Sequence, residues 1–362
     1  MDNLEIKASL VSSAREKELK AFDDTKAGVK GLVDAGILNI PEIFIRPPDE
    51  VSEEWNYTHD QQVPVIDFQG IENSDRRKQI VSQVQQASEH WGFFQVVNHG
   101  IPLSVLDGMI DGVRLFHEQD FEAKKQLYSL DYTKTVRFCS NYDLYQSQAA
   151  NWVDSLLLTM PFDADDLPKS CRSSTMEYIK HILKFGDIII ELLSEALGLK
   201  PDHLKSMECA KGNYTVAGHY YPACPQPELT RGYKKHSDST FFTILVQDHI
   251  GGLQVLHGDK WANVEPIAGG LLVNIGDMLQ IVSNDKFKSV IHRALVNRDN
   301  ARISAPVFFY GSPSQSMKYS PIEDLISEEC PPIYKTFQVS DYLEKFFTKQ
   351  LDGQELRELF KI

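Results

Sequence analysis

No apolar run in this 362-residue chain approaches the ~20 residues needed to cross a bilayer. The start, Met1-Asp2-Asn3-Leu4-Glu5-Ile6-Lys7, lacks a basic end leading into a long apolar stretch, so no secretory leader is expected. Positive charge is in deficit. Only 37 Lys and Arg face 51 Asp and Glu, a formal net charge of −14, with an isoelectric point near 5.3. That balance argues against nucleic acid and anionic membrane as partners. Cysteine is scarce, and its five copies (139, 171, 209, 224 and 330) are scattered, odd in number and free of any Cys-x-x-Cys spacing. A disulfide framework is thereby disfavoured, and reduced thiols in a cytoplasmic protein are expected. Internal repeats, low-complexity tracts and polybasic runs are absent too. What remains, 42 % hydrophobic and 24 % charged residues, is material for a large core and a cytosolic monomer.

Hydrophobic periodicity divides the chain. Residues 14–35, 74–90 and 103–126 read as polar-faced helices. Residues 172–198 form the longest helical pattern, a broad apolar face closed by Gly198 and Pro201, which predicts a support helix against the core. Between 213 and 311 the pattern changes to short strands punctuated by Gly, Pro and Asp turns: 213–221, 241–247, 252–257, 260–264, 271–275, 279–283, 288–296 and 302–311. About eight strands at that spacing predict a sandwich or barrel. The expected fold is α+β with a mainly β core. It is a double-stranded β-helix, or cupin-like jelly roll, with flanking helices and a helix-rich N-terminal region. Four regions follow: an N-terminal helical extension (1–60), a helix-rich region (61–205), the jelly-roll core (206–315) and a C-terminal helical segment (316–362). Pro41–Pro48 and Pro222–Pro227 read as turns. Residues 339–360 are expected to form a helix packing Tyr342, Phe346, Phe347, Leu356, Leu359 and Phe360.

One constellation carries chemistry. His236-Ser237-Asp238 is followed 54 residues after Asp238 by His292, and ten residues later by Arg302-Ile303-Ser304. Two neutral imidazoles and one carboxylate, with the other positions open, are the ligand set of non-haem Fe(II) oxygenases. In extended chain, residues two apart share a face, so His236 and Asp238 can reach one ion. His-x-Asp occurs a second time, at His257-Gly258-Asp259, between two alternating runs joined by a hairpin turn signal. There we expect a solvated turn residue. Arg302 and Ser304 also share a face. A buried Arg needs an anionic partner, and its planar fork suits a carboxylate, with Tyr221 as a third polar contact.

These residues, with Val63-Pro64-Val65-Ile66-Asp67-Phe68, Trp91–Pro102, Tyr220–Thr230 and Asn274-Ile275-Gly276-Asp277, resemble plant 2-oxoglutarate/Fe(II)-dependent dioxygenases acting on small molecules. Gly28–Ile37 is similar to the subgroup of desacetoxyvindoline 4-hydroxylase and the 1-aminocyclopropane-1-carboxylate oxidase homologues. The resemblance spans nearly the whole chain. It implies Fe(II) on His236, Asp238 and His292, with 2-oxoglutarate held at its distal carboxylate by Arg302, Ser304 and Tyr221. It implies O2 as co-reactant, ascorbate as the reductant that sustains activity, and succinate and CO2 as co-products. Hydroxylation is the default outcome, with dealkylation, desaturation or ring closure as variants. Phe138, Leu156, Leu158, Phe308 and Phe309 are implied pocket walls, with Asn141 and Tyr145 orienting polar groups. The expected substrate is an apolar multi-ring plant metabolite, alkaloid- or indole-like, neutral or cationic.

The pattern departs from relatives at three places. His219 stands where Asn is frequent, and Val153 where Arg is frequent. Pro306 interrupts a strand, which predicts an edge or bulge. Two other readings keep the same residues: an ascorbate-dependent oxidase resembling 1-aminocyclopropane-1-carboxylate oxidase, and a non-catalytic small-molecule-binding jelly roll. Halogenation is not expected, because Asp238 fills the position a chloride would take.

Overall fold

The computed structural model describes residues 2–47, 57–58, 61–207, 213–311, 317–349 and 353–362. Pro48, Cys209 and the side chain of Phe347 lie outside what is described. The helices are α1 (Asp2–Thr25), α2 (Gly28–Asp34), α3 (Ser74–His90), α4 (Leu103–Glu118) and α5 (Phe121–Lys125). They continue with α6 (Arg172–Ala196), α7 (His203–Ser206), α8 (Asp277–Val282), α9 (Val339–Lys349) and α10 (Gly353–Glu358). The early strands are β1 (Tyr57–Thr58), β2 (Val65–Asp67), β3 (Phe93–Val97), β4 (Val136–Cys139) and β5 (Asp154–Thr159). Then come β6 (Tyr214–Tyr221), β7 (Tyr233–His236), β8 (Phe242–Gln247), β9 (Leu253–His257) and β10 (Lys260–Asn263). The last are β11 (Leu271–Ile275), β12 (His292–Ala294), β13 (Arg302–Phe309), β14 (Lys318–Tyr319) and β15 (Phe337–Gln338).

Two sheets carry the architecture, a major one of order β2-β3-β11-β8-β13-β6-β5-β4 and a minor one of order β1-β10-β9-β12-β7. This is the expected jelly roll. Leu253 and Val255 of the minor sheet pack with Phe93 and Leu272 of the major one, so the two close on each other over an apolar layer. The major sheet's opposite face is covered by helices. Phe309 of β13 meets Gly186 of α6, Gly218 of β6 meets Val113 of α4, and Tyr220 stacks on His117. Burial of that face forms the largest core cluster, which includes Val113, Phe116, Tyr178, Ile182, Phe185 and Ile189. The 172–198 stripe is thus a support helix against the sheet.

Several boundaries differ from those read in the sequence, each for a local reason. The 14–35 helix breaks between α1 and α2 because Lys26 and Gly28 adopt left-handed backbone, φ 55° and 70°. There the Asp154 carboxylate accepts the backbone N–H of Val29 and of Lys30, both at 2.8 Å, and anchors α2 to β5. The 103–126 helix stops at Glu118, and Asp120 caps a new turn by accepting the Glu122 N–H. Residues 279–283 are not a strand. Residues 279–282 belong to α8, all six of whose residues are buried, with Ser283 as its C-cap, and an apolar run that short has no readable period. The expected 288–296 strand is ordered as one only at 292–294. The C-terminal helix is two helices, and Leu359 is 41 % exposed rather than packed. Strands β2, β3, β4, β5 and β7 were not read as strands at all.

Pro306 does not mark an edge. β13 lies inside the major sheet between β8 and β6. Pairing to β8 runs through Pro306, whereas pairing to β6 lapses between Ser304 and Val307 and resumes in the same register. One strand interior therefore tolerates the missing N–H without a bulge.

Gly276 joins β11 to α8 where the chain passes Thr240. A Cβ there would overlap the Thr240 carbonyl group and crowd its hydroxyl, and a backbone carbonyl cannot be turned aside as a flexible side chain can. Gly276→Ala should lower unfolding stability by about 2–4 kcal/mol, measured in urea, with wild-type values for an exposed control such as Leu38→Ala.

Candidate active site

The jelly roll brings His236, Asp238 and His292 together. They form a group whose ligand atoms all lie within 4.8 Å of one another. β7 ends on His236, Asp238 follows two residues on, and β12 presents His292 opposite His236 in the ladder. Each imidazole Nε2 is 3.6 Å from Asp238 Oδ1. That is too long for a hydrogen bond and leaves room for an ion between them.

Backbone contacts set the tautomers. His236 Nδ1 is 2.9 Å from the Lys234 carbonyl oxygen, and His292 Nδ1 is 3.1 Å from that of Val290. A carbonyl only accepts, so each Nδ1 carries the proton and each Nε2 lone pair faces the gap. Burial and the adjacent His292 push the pKa of His236 down to about 3, with Asp238 opposing, so the ring is a neutral donor.

Asp238 divides its two oxygens. Oδ2 accepts hydrogen bonds from Thr243 Oγ1 at 2.7 Å and Asn274 Nδ2 at 2.8 Å, while Oδ1 faces the histidines. Burial would raise this carboxyl's pKa, but His292, His236, Asn274 and Thr243 outweigh it and hold the group below the usual range. Beneath the ligands, Asp277 accepts from Ser237 Oγ at 3.1 Å and Tyr342 at 2.8 Å and forms a buried ion pair with Arg357. The C-terminal helices are thereby tied to the turn that carries Asp238.

A second group sits on the inner face of the major sheet. Arg302 is 2 % exposed, and its guanidinium lies 4.9 Å above the Tyr221 ring. It donates to Gln247 Oε1 at 2.9 Å and Ser304 Oγ at 3.2 Å, and its Nε has no partner. It forms no ion pair with a carboxylate among the described residues. A buried cation left so is ready for an anion of matching fork geometry. His219 lies between the two groups. Arg302 and His236 both act on its ring, which burial pushes down to a pKa of about 3, and Ser155 Oγ is 2.8 Å from its Nδ1. Two imidazoles and a carboxylate with lone pairs converging, beside an orphaned buried guanidinium, suit Fe(II) and a dicarboxylic co-substrate.

The expected walls need correction, and one geometric fact explains it. Phe138, Leu156, Leu158 and Phe309 all sit on the helix-covered face: Phe138 against Phe116, the two leucines in the same core, and Phe309 against Gly186. Their strand neighbours point inward instead. Leu156 pairs with Gly218 and Ser155 with His219, so Arg137, Cys139, Ser155 and Leu157 face the site. Phe308, by parity with Arg302 and Ser304, is on the inner face. Asn141 spends its amide on both backbone groups of Asn151. Tyr145 is 51 % exposed and donates to Asp23 on α1, away from the triad. His257 ends β9 half-buried and stacked on Trp91 at 3.9 Å, distant in role from the metal group but not simply solvated. Val153 packs with Tyr221 and Ala294. Thr243, Gln247 and Tyr142, whose hydroxyl bonds Tyr233 at the rim, were not found in the sequence. Strand parity from His219 would have found the inward set.

The chain was compared with known proteins. Residues 212–310 match the 2OG-Fe(II) oxygenase superfamily, and residues 63–176 match the non-haem dioxygenase in morphine synthesis N-terminal family. The 1-aminocyclopropane-1-carboxylate oxidase homolog 11 of Arabidopsis thaliana is 49 % identical over 353 residues, 95 % of this chain and 97 % of that protein. Deacetoxyvindoline 4-hydroxylase of Catharanthus roseus is 48 % identical over 377 residues, 100 % of this chain and 93 % of that protein. The crystal structure of JOX2 in complex with 2OG, Fe and JA superposes with a TM-score of 0.81 at 29 % identity, covering 92 % of this chain and 97 % of that one.

Removing Asn274 takes away one of the two donors that fix Asp238 Oδ2, leaving Thr243 alone to hold it. Asn274→Ala should weaken Fe(II) binding by roughly 10–100-fold in an anaerobic titration, and Asp238→Ala should abolish it with the fold retained. His257→Ala should bind iron as the wild type does. Equal iron affinity in wild type and Asp238→Ala would place the metal elsewhere.

Proposed function

Because this chain belongs to the 2OG-Fe(II) oxygenase superfamily, we propose that it oxidises a small plant specialised metabolite at the His236–Asp238–His292 centre. Hydroxylation is its default outcome, and dealkylation, desaturation or ring closure follows when another hydrogen lies nearest. The dioxygenase uses Fe(II), 2-oxoglutarate and O2, and ascorbate fits as the reductant that sustains it. When bound, iron and 2-oxoglutarate supply O2 activation coupled to oxidative decarboxylation of the co-substrate to succinate and CO2.

The chain's own residues do the positioning. His236, Asp238 and His292 would hold the ion through two imidazole nitrogens and one carboxylate oxygen. Arg302, Ser304 and Tyr221 would hold the distal carboxylate of 2-oxoglutarate, so that these residues orient the acid relative to the metal group. Phe308 and Leu157 supply apolar walls, and Tyr142 and Tyr233 close the rim, which limits water near the reacting carbon. The observation that carries this reading is Arg302: a buried guanidinium with an unpartnered Nε and no ion pair to a carboxylate among the described residues, on the same inner face as the triad. Such a feature also argues against a non-catalytic binding jelly roll.

The names of the Arabidopsis relatives give weight to an ascorbate-dependent oxidase that forms no succinate. One assay separates the two. The proposal requires O2 uptake that depends on 2-oxoglutarate and yields succinate in equal amount. Arg302→Lys should raise the KM for 2-oxoglutarate roughly 10–100-fold, since a point charge cannot replace the two-pronged fork. O2 uptake without 2-oxoglutarate, or an unchanged KM in Arg302→Lys, would favour the oxidase.

A further inference from the structure

We propose that Arg137 is a subsite for an anionic group of the substrate, a carboxylate by preference, so that this chain selects ring-bearing acids over neutral or cationic analogues. The inference rests on the oxygenase reading for what happens at the iron, and it replaces the neutral or cationic substrate expected from the sequence.

Arg137 lies on β4 and pairs with Leu157. Its neighbour Phe138 is turned outward onto Phe116 and Tyr128, so Arg137 is turned inward, in the row next to Cys139, Ser155 and His219. It is 8 % exposed. Nη1 donates to the carbonyls of Lys134 at 3.0 Å and Tyr132 at 3.4 Å, and the side chain also contacts the Cys139 thiol. Those contacts fix the guanidinium but do not neutralise it, because carbonyls and a thiol carry no full charge.

Among the described residues Arg137 forms no ion pair with a carboxylate. Of the acids that share its surroundings, Asp154 is held by the amides of Val29 and Lys30 and Asp143 by Lys234 at 2.6 Å, while Asp131, which feels the Arg137 charge, is exposed and accepts from Thr133. The charge also reaches the site. Burial raises the Tyr310 hydroxyl's pKa, Asp238 and Tyr142 add to the rise, and Arg137 opposes it, so one tyrosine feels both the metal carboxylate and this guanidinium. A nine-tenths-buried cation without an anion is costly unless a ligand completes it. Arg302 likewise forms no ion pair with a carboxylate among the described residues and is assigned to the co-substrate. A second, on a different strand of the same inner face, calls for a second anion, and the remaining ligand of the reaction is the substrate.

The test uses the full chain loaded anaerobically with Fe(II) and saturated with 2-oxoglutarate. Calorimetric titration compares indole-3-propanoate, its methyl ester and tryptamine, which share a ring system and differ in charge. The wild type should bind the acid about 10–100-fold more tightly than the ester, the range for hydrogen bonds to a charged group. Arg137→Gln keeps an amide donor for the Tyr132 and Lys134 carbonyls but removes the charge. It should erase the preference while leaving 2-oxoglutarate affinity and Tm as in wild type. A preference that survives in Arg137→Gln, its absence from the wild type, or no binding of the acid at all overturns the proposal. Succinate formation is read in parallel. Arg137-dependent acid binding without succinate from any metabolite would sink the oxygenase reading alone, and succinate formed with neutral substrates preferred would sink this subsite alone.

Discussion

Alternation of side chains across the major sheet is the constraint on which the rest of the molecule depends. One parity of β13, β6 and β5 meets α4 and α6 and forms the main core; the other meets the minor sheet and forms the site. On β13 this sends Ile303, Ala305, Val307 and Phe309 to the helices and Arg302, Ser304, Pro306 and Phe308 to the interior. Core and chemistry are thus built from the same strands. A one-residue slip in β13 would put Arg302 against the helices and Phe309 beside the metal group, so burial of the outer parity fixes the site's register.

Within that frame, two electrostatic deficits define the interior. Three candidate ligand atoms converge with lone pairs and one negative charge, and Arg302 offers a buried guanidinium that forms no ion pair with a carboxylate among the described residues. Each is unfavourable alone in a buried setting, and each would be relieved by one reagent pair, a divalent cation and an acid. Thr243, Asn274, Lys234 and Val290 act on the ligands' far atoms, and fix which lone pairs face inward.

The sequence made the polar centre legible because that chemistry needs particular residue types at short spacings. His236 and Asp238 two apart, and Arg302 and Ser304 two apart, are marks of extended chain with a shared face. The pocket walls were illegible for a related reason. Buried strands with apolar residues on both faces, such as Leu156-Leu157-Leu158 and Val307-Phe308-Phe309, do not show which parity faces inward. Four of the expected walls fell on the wrong side of the sheet, whereas Phe308 did not. α8 was misread for the same cause, since a six-residue buried run has no period to count. β7 was missed because Tyr233-Lys234-Lys235-His236 has no apolar alternation; its partner β12 and the metal ligands give it its place. Asn141 and Tyr145 are polar and near the site in sequence, yet their hydrogen bonds go to Asn151 and Asp23.

The central claim is that the triad and Arg302 form one site, completed by a single bidentate acid. Anaerobic equilibrium binding of 2-oxoglutarate, with and without Mn(II) as a redox-silent stand-in for iron, tests it most directly. Metal should tighten binding by at least about tenfold, because the metal group and Arg302 would then both hold the one acid. Pyruvate, which has the 2-oxo acid end but no distal carboxylate, should bind the metal-loaded chain far more weakly. Equal affinity with and without metal, or equal affinity for pyruvate and 2-oxoglutarate, would contradict the account.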